Sequence, residues 1–508
     1  MRLFDPARAA YRAIGRLHDA LADPAMRERT AFAALAVYVA LWTLYGVIAK
    51  ASQDLHFDMV EEIAWSRDLA FGYPKHPPFS AWLVRAWFGV FPVTDGAFYL
   101  LAIVVAAVAL WIAWKLAADY LDAEKRIAGI ALLTLIPFFN FHALKFNVNT
   151  PLMPLWAAAT FFFLRSYVTR RIVYAVLAGA CAALAMMCKY WSVFLIAGLV
   201  IAALIDSRRG AYFRSAAPWL TVIAGLIVLS PHLVWLAQND FAPFHYALEV
   251  HGAKPFAMTA LDAFGYLGGS IAYAALPVVL VLIAARPDKA TLADMIWPAD
   301  PDRRLAAAAF WAPFLLPFVV ALATGTAITS LWSMSAWTLL PVLLLSPPKL
   351  KIDRAAVQRI LTVAIIVPLV MLLAAPVIAY AIHRAGVVPA AAHSRILAAR
   401  IENSWHDLTV KPLRYVDGDA GIAYGVAAYL HDRPHALPGL PPVADAVLKR
   451  DGLVVVCFAE DAGCVRAGAA YESGARRIIR IETVVARTFF DTPGKPQRYV
   501  ILVVPPRG

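Results

Sequence analysis

Apolar residues fill most of the chain up to about position 380, in blocks broken by short polar clusters. Blocks this long predict membrane-crossing helices, because a helix needs about 20 mostly apolar residues to cross the hydrocarbon core. About eleven can be marked, near 31–49, 97–118, 127–141, 150–168, 172–188, 190–205, 216–237, 262–285, 305–323, 327–346 and 357–382, several of them short or abutting. From about 383 the pattern changes to Pro-rich punctuation, mixed charge and short β-rich runs. Strands are expected at 453–458, 478–486 and 499–504 and a helix at 420–430, which together describe a small soluble α/β domain. The expected organisation is an amphipathic lead-in over 1–30, a membrane domain over 31–382 with a long outer loop near 50–80, and the soluble domain over 383–508.

Composition sharpens this picture. Of the 508 residues 61% are hydrophobic and only 16% charged, more apolar surface than a soluble core of this size can bury. The formal charge of +12 does not gather in one patch, so nucleic acid is not the expected partner; membrane lipid is. With the N-terminus inside, the predicted inner loops collect the basic residues: Lys125 and Arg126; Arg165, Arg170 and Arg171; Arg208, Arg209 and Arg214; Arg286, Lys289, Arg303 and Arg304; Lys349, Lys351 and Arg354. The basic lead-in lacks the short apolar run and small-residue site of a cleaved signal peptide. An odd number of spans then places the soluble domain on the outer side of a bacterial inner membrane. Of four cysteines, Cys181 and Cys188 fall in an apolar block and read as packing residues, whereas Cys457 and Cys464 are free to form a disulfide if the tail is extracytoplasmic.

The first outer loop holds most of the candidate chemistry. In DLHFDMVEEIAWSRDLAFGYPKHPP, Asp58 and Glu62 stand one helical turn apart with Glu61 beside them, so two or three carboxylates are expected to face the membrane surface together. Such a carboxylate can take a proton from an acceptor, although the spacing is equally that of a solvated interfacial helix. Lys75 and His76 before Pro77 and Pro78 form a stiffened basic element, suited either to a departing phosphate or to lipid headgroups.

Other polar residues fall at predicted outer ends of spans. Lys189, with Tyr190, interrupts an apolar run in MMCKYWSVF, a costly position that suits either phosphate binding or an aromatic-belt anchor. Asn147 and Asn149 precede Thr150 and Pro151, where they suit a sugar or metal ligand, while capping of the next helix by Asn149 is the simpler reading. His245, Glu249 and His251 lie in a later outer loop, without a standard zinc spacing.

The loop from Asp58 through Trp65, Ser66, Gly72, Tyr73, His76, Pro77 and Pro78, followed by AWLVR, resembles the protein O-mannosyltransferase-like membrane glycosyltransferases of family 39 type, whose bacterial members include aminoarabinose transferases. The resemblance extends to about residue 380 and implies the GT-C fold. It further implies inverting transfer of a hexosyl or pentosyl group from a polyprenyl-phosphate donor to an envelope lipid or glycan acceptor. In that pattern Asp58 takes the place of the base, Lys189 that of a lysine ending an apolar helix, and His76 that of a phosphate-contacting lysine for which Lys75 substitutes. Met59 stands where the family usually has glutamate and Asn149 where it usually has aspartate, which leaves dependence on a divalent cation open. Glu62, where an aromatic is usual, is a second candidate base or a sugar ligand, and Glu61 a further substrate contact.

Two rivals use the same residues differently. A transporter or flippase would need intramembrane polar residues along a path and often shows paired halves, and no such repeat is visible. A noncatalytic envelope scaffold would leave Asp58 dispensable.

Overall fold

The structure, a computed structural model, describes residues 6–252, 254–386, 393–438, 443–472 and 478–506. It is mainly helical and separates into two compact units, one formed by Met1–Thr43 with Leu100–Leu372 and the other by Leu44–Tyr99 with Leu373–Gly508.

Among the described residues six helices are long and apolar enough to cross a membrane: Arg27–Ala49, Asp95–Ala117, Ala217–Gln238, Phe256–Ala285, Pro301–Thr324 and Arg354–Ala385. Five further blocks of the sequence reading fall instead on shorter helices, Ala123–Thr134, Leu152–Thr169, Ile172–Met186, Val193–Ile205 and Leu340–Leu345. Pro341 and the 3-10 turn Trp337–Leu339 shorten the last of these. Close helix crossings in this unit depend on small residues. A Cβ on Gly179 would sit 2.0 Å from the carbonyl oxygen of Thr221, and one on Gly198 would sit 2.4 Å from the ring of Pro313.

The charged loops of this unit are joined to one another. Glu28 pairs with Arg126 at 2.9 Å and Lys115 at 3.1 Å, Asp119 with Arg165 at 2.8 Å, Asp294 with Arg303 at 2.6 Å, Asp19 with Arg354 at 2.7 Å, and Arg208 with both Asp206 and Asp302. Each pair is worth little by itself.

The second unit contains a five-stranded mixed sheet of β1 (Tyr415–Gly418), β2 (His435–Ala436), β3 (Leu453–Phe458), β4 (Ile479–Val485) and β5 (Gln497–Val504), in the order β2-β1-β3-β5-β4. β1 runs parallel to β2 and β3, while β5 runs antiparallel to β3 and β4. Alternation along β3 serves two cores: Val454 and Val456 pack with Trp405, Val426 and Tyr499 on one face, and Leu453, Val455 and Cys457 pack with Val500 and Leu502 on the other. The helix Ala420–Tyr429 follows β1 through Gly418, whose φ of +119° and approach to the Val456 carbonyl exclude a side chain. Cys457 and Cys464 form a disulfide between β3 and the helix Ala462–Ala469.

The outer loop folds within this second unit, as the helices Phe57–Arg67 and Phe79–Phe88. It is not a solvated interfacial element. Met59 through Ser66 are all buried, so Glu61 and Glu62 point into protein, and the expectation that the carboxylates face the membrane surface together is corrected. The sequence pattern hid this because the covering helix Ala420–Tyr429 lies more than 350 residues downstream, and Phe57 meets its Tyr424 with ring centroids 5.8 Å apart.

Candidate active site

The loop helix begins at His56, whose Nδ1 accepts a hydrogen bond from the backbone N–H of Asp58 at 3.1 Å. Asp58 Oδ2 lies 3.8 Å from the same imidazole, and at 24% side-chain exposure Asp58 is the most accessible of the three carboxylates. One turn on, Glu61 receives Lys75 Nζ at 2.8 and 3.2 Å, and the ammonium also lies 5.1 Å from the centre of the Phe57 ring. Burial nevertheless raises the Glu61 carboxyl to about 7, the Lys75 charge opposing the rise. Lys75 is thus an ion-pair partner and not the snorkelling cation that its position near headgroups had suggested.

Glu62 is 1% exposed and lies beside the Ser80 hydroxyl. Burial raises its carboxyl to about 8, the Ser80 hydroxyl opposing the rise and the negative charges of Glu61 and Asp58 adding to it. Near neutrality such a carboxyl favours its protonated form, which donates a hydrogen bond.

The turn after the helix locks itself. Tyr73 stacks on Trp65 at 5.2 Å, and its hydroxyl donates to the carbonyls of Trp65 and Asp68, each at 2.8 Å. Its N–H donates to the His76 carbonyl at 2.9 Å, while the His76 ring meets Trp65 edge-on at 6.0 Å. These contacts explain why Trp65, Gly72, Tyr73, His76 and the two prolines travel together as a motif: they fix the position of Lys75 relative to Glu61.

Residues of the last 135 positions hold the loop from outside. Arg67 donates to the carbonyls of Pro434 at 2.6 Å and Ala427 at 3.0 Å, Asp54 pairs with Arg487 at 2.6 Å and accepts from the N–H of Arg395 at 3.0 Å, and Leu55 N–H donates to Tyr429 at 3.0 Å. Sequence reasoning passed over all of these, since nothing local marks Asp54 or Arg487 as partners.

In the membrane unit, Lys189 Nζ donates to Asn149 Oδ1 at 3.0 Å and lies 4.2 Å from the centre of the Trp332 ring. Asn149 in turn donates, from its backbone N–H at 2.9 Å and its side chain at 3.0 Å, to Asn147 Oδ1. Asn149 does not cap the following helix; Pro151 holds that position with no side-chain cap, and the Asn149 amide is spent on the lysine. Tyr190 shares a 2.8 Å hydrogen bond with the buried His232 and stacks on Phe244 at 4.7 Å. His232 was missed by the sequence reading, although a histidine inside an apolar run is itself a signal.

Among the described residues no three of His, Cys, Asp and Glu converge as metal ligands, and the side chain of His251 lies outside the described ones.

This architecture is the GT-C fold. Residues 75–235 match the family model described as dolichyl-phosphate-mannose-protein mannosyltransferase, a stretch that includes Lys75, His76, Asn147, Asn149, Lys189 and Tyr190. The chain is similar to the lipopolysaccharide core galacturonosyltransferases RgtB and RgtA of Rhizobium johnstonii. RgtB is 27% identical over 428 residues, 81% of this chain and 82% of RgtB; RgtA is 24% identical over 441 residues, 82% and 85% respectively. Its fold matches the crystal structure of ArnT from Cupriavidus metallidurans bound to undecaprenyl phosphate with a TM-score of 0.60 and 14% identity, across 92% of this chain and 97% of ArnT.

Proposed function

We propose that the protein transfers a glycosyl group, a uronic acid in the first instance, from a polyprenyl-phosphate donor to a saccharide of lipopolysaccharide at the outer face of a bacterial inner membrane. The observation that carries the reading is the partly exposed Asp58 next to the buried Glu61 and Glu62 on a loop helix of a GT-C fold. The galacturonosyltransferase names of two relatives that this chain matches over most of its length support the choice of sugar and acceptor.

In this reading an acceptor hydroxyl attacks the anomeric carbon, the bond from that carbon to the phosphate oxygen breaks, and polyprenyl phosphate leaves with inversion. Asp58 takes the hydroxyl proton, being the accessible carboxylate of the three. Glu62, protonated near neutrality, donates a hydrogen bond to the sugar or acceptor. The Glu61–Lys75 pair fixes the loop helix and adds a substrate contact, with His76 next to it. In the membrane unit, and as a separate proposal, Lys189, hydrogen-bonded to Asn149, is a candidate contact for the carrier phosphate, with Asn147 and Tyr190 as further candidate substrate contacts.

The test is transfer by purified protein in liposomes, from polyprenyl-phosphate galacturonate to a lipopolysaccharide core extract, with other polyprenyl-phosphate sugars as comparators. Galacturonate transfer above the comparators is expected. Transfer of another sugar alone would move the donor assignment, and no transfer from any donor would discard the reading.

A further inference from the structure

The loop helix has a second polar face. Arg67 follows Glu62 by five residues, roughly 140° around the helix, so it points away from the carboxylates. On that side a cavity of about 420 Å³ is lined by Arg67, Arg85, Arg433 and His435 around Ile63 and Phe88, all within the second unit.

The charges there are poorly balanced. Arg67 is held by two backbone carbonyls, and Arg85 Nη1 likewise donates to the carbonyls of Ser66 at 3.2 Å and Arg67 at 3.0 Å. Two acidic groups stand nearby: Asp68 pairs with the cavity-lining His435 at 2.9 Å and its charge favours the Arg67 cation, and Asp432 accepts from the N–H of Leu413 at 2.8 Å. Burial and the nearby Arg433 cation lower the Arg67 guanidinium to about 10, the sign of a positive charge short of a counter-ion. Arg433 itself sits in the left-handed region at φ +47°, a conformation that costs a branched or long side chain free energy and that recurs at functional positions.

We infer that this cavity is an oxyanion site, taking a phosphate or carboxylate group on its three guanidiniums while Ile63 and Phe88 receive the less polar body that carries the anion. Planar guanidinium forks match the oxygens of such groups in pairs, and an anion placed among them removes the repulsion between Arg67 and Arg433. The site is separate from the carboxylate face and does not depend on the transfer reaction.

The test uses the full chain in phosphatidylcholine nanodiscs, following the thermal midpoint against inorganic phosphate at constant ionic strength, and in a parallel arm with part of the lipid replaced by phosphatidic acid. Wild type is expected to show a saturable rise in at least one arm. Arg433→Gln, which removes a charge without touching the carbonyl bonds of Arg67 and Arg85, is expected to need roughly tenfold more phosphate, and Arg433→Glu to show no rise. A rise with inorganic phosphate assigns the site to soluble anions; a rise confined to phosphatidic acid assigns it to a lipid headgroup. Equal responses of wild type and Arg433→Glu, or no response of wild type in either arm, overturn the inference. Circular dichroism of each variant without anion separates loss of binding from loss of fold.

Discussion

Lys75 Nζ reaches both carboxylate oxygens of Glu61, at 2.8 and 3.2 Å, from a turn fourteen residues further along the chain. The contact joins the loop helix to the Pro-rich turn, and because the Glu61 side chain is only 7% exposed, the pair stands or falls together. Removing Lys75 leaves a buried carboxylate that must either stay charged or take a proton. Lys75→Met is therefore expected to cost on the order of 2–3 kcal/mol at pH 8 and less at pH 5, where Glu61 protonates instead. Glu61→Gln combined with Lys75→Met should recover most of that loss. Denaturant titration of the three variants decides it, and a double variant as unstable as Lys75→Met alone would count against the coupling.

The buried Glu62 gives a second expectation, with a definite sign. Its folded carboxyl titrates at about 8 against 4.5 unfolded, so between those values the folded state holds the extra proton. Stability then falls as pH rises through this window and levels off above it, by up to a few kcal/mol. Glu62→Gln carries no such proton and should lessen the slope between pH 5 and about pH 8.5, leaving the part that Glu61 contributes up to about pH 7, while matching or exceeding wild type at the alkaline end. Thermal melts across that range measure it; a parallel downward slope in the variant would place the titration elsewhere.

Asp58 is the proposed base, and loss of a positioned base typically costs a factor of about 10² to 10⁴ in rate. Asp58→Asn should lose activity by that order in kcat with little change in the thermal midpoint, since the side chain is partly exposed and outside the buried pair. Near-normal turnover would transfer the role to another group.

Lys189 and Asn149 offer a test in the membrane unit. Lys189→Ala should weaken binding of undecaprenyl phosphate in a competition assay by roughly tenfold or more, and Asn149→Ala, which frees the ammonium from its 3.0 Å acceptor, by less. Unchanged competition by both variants would make this pair a structural contact.

The Cys457–Cys464 disulfide closes a short loop between the central strand β3 and the helix Ala462–Ala469. Replacing both residues by serine should lower the stability of that domain by about 2 kcal/mol through the unfolded state, with alkylation mass spectrometry of the denatured, unreduced protein labelling Cys181 and Cys188 and not the bonded pair.

Much of this architecture was legible because it is written in local periodicity. The apolar blocks marked the membrane region, and the alternating β-rich runs marked β3, β4 and β5 to within two residues. The motif residues from Asp58 to Pro78 also pointed to the correct fold. What stayed hidden depends on long-range partners. Nothing near Phe57 indicates that it will meet Tyr424, nothing near Asn149 that its amide will turn to Lys189 and leave the helix end uncapped, and no spacing rule links Arg67 with the Pro434 carbonyl. Of the eleven apolar blocks, six fall on helices long and apolar enough to cross a membrane and five on shorter ones.

Because Leu44–Tyr99 packs with Leu373–Gly508, the acidic loop cannot reach its final state until synthesis is nearly over. At typical translation rates of about 5–20 residues per second, the intervening segment takes some tens of seconds to emerge, during which Glu61, Glu62 and their apolar neighbours wait without a cover. The nascent chain is thus exposed to proteases and chaperones at its most reactive segment, and only a finished C-terminus closes that interval. A chain that ended before residue 420 would lack the helix whose Tyr424 meets Phe57 of the loop helix.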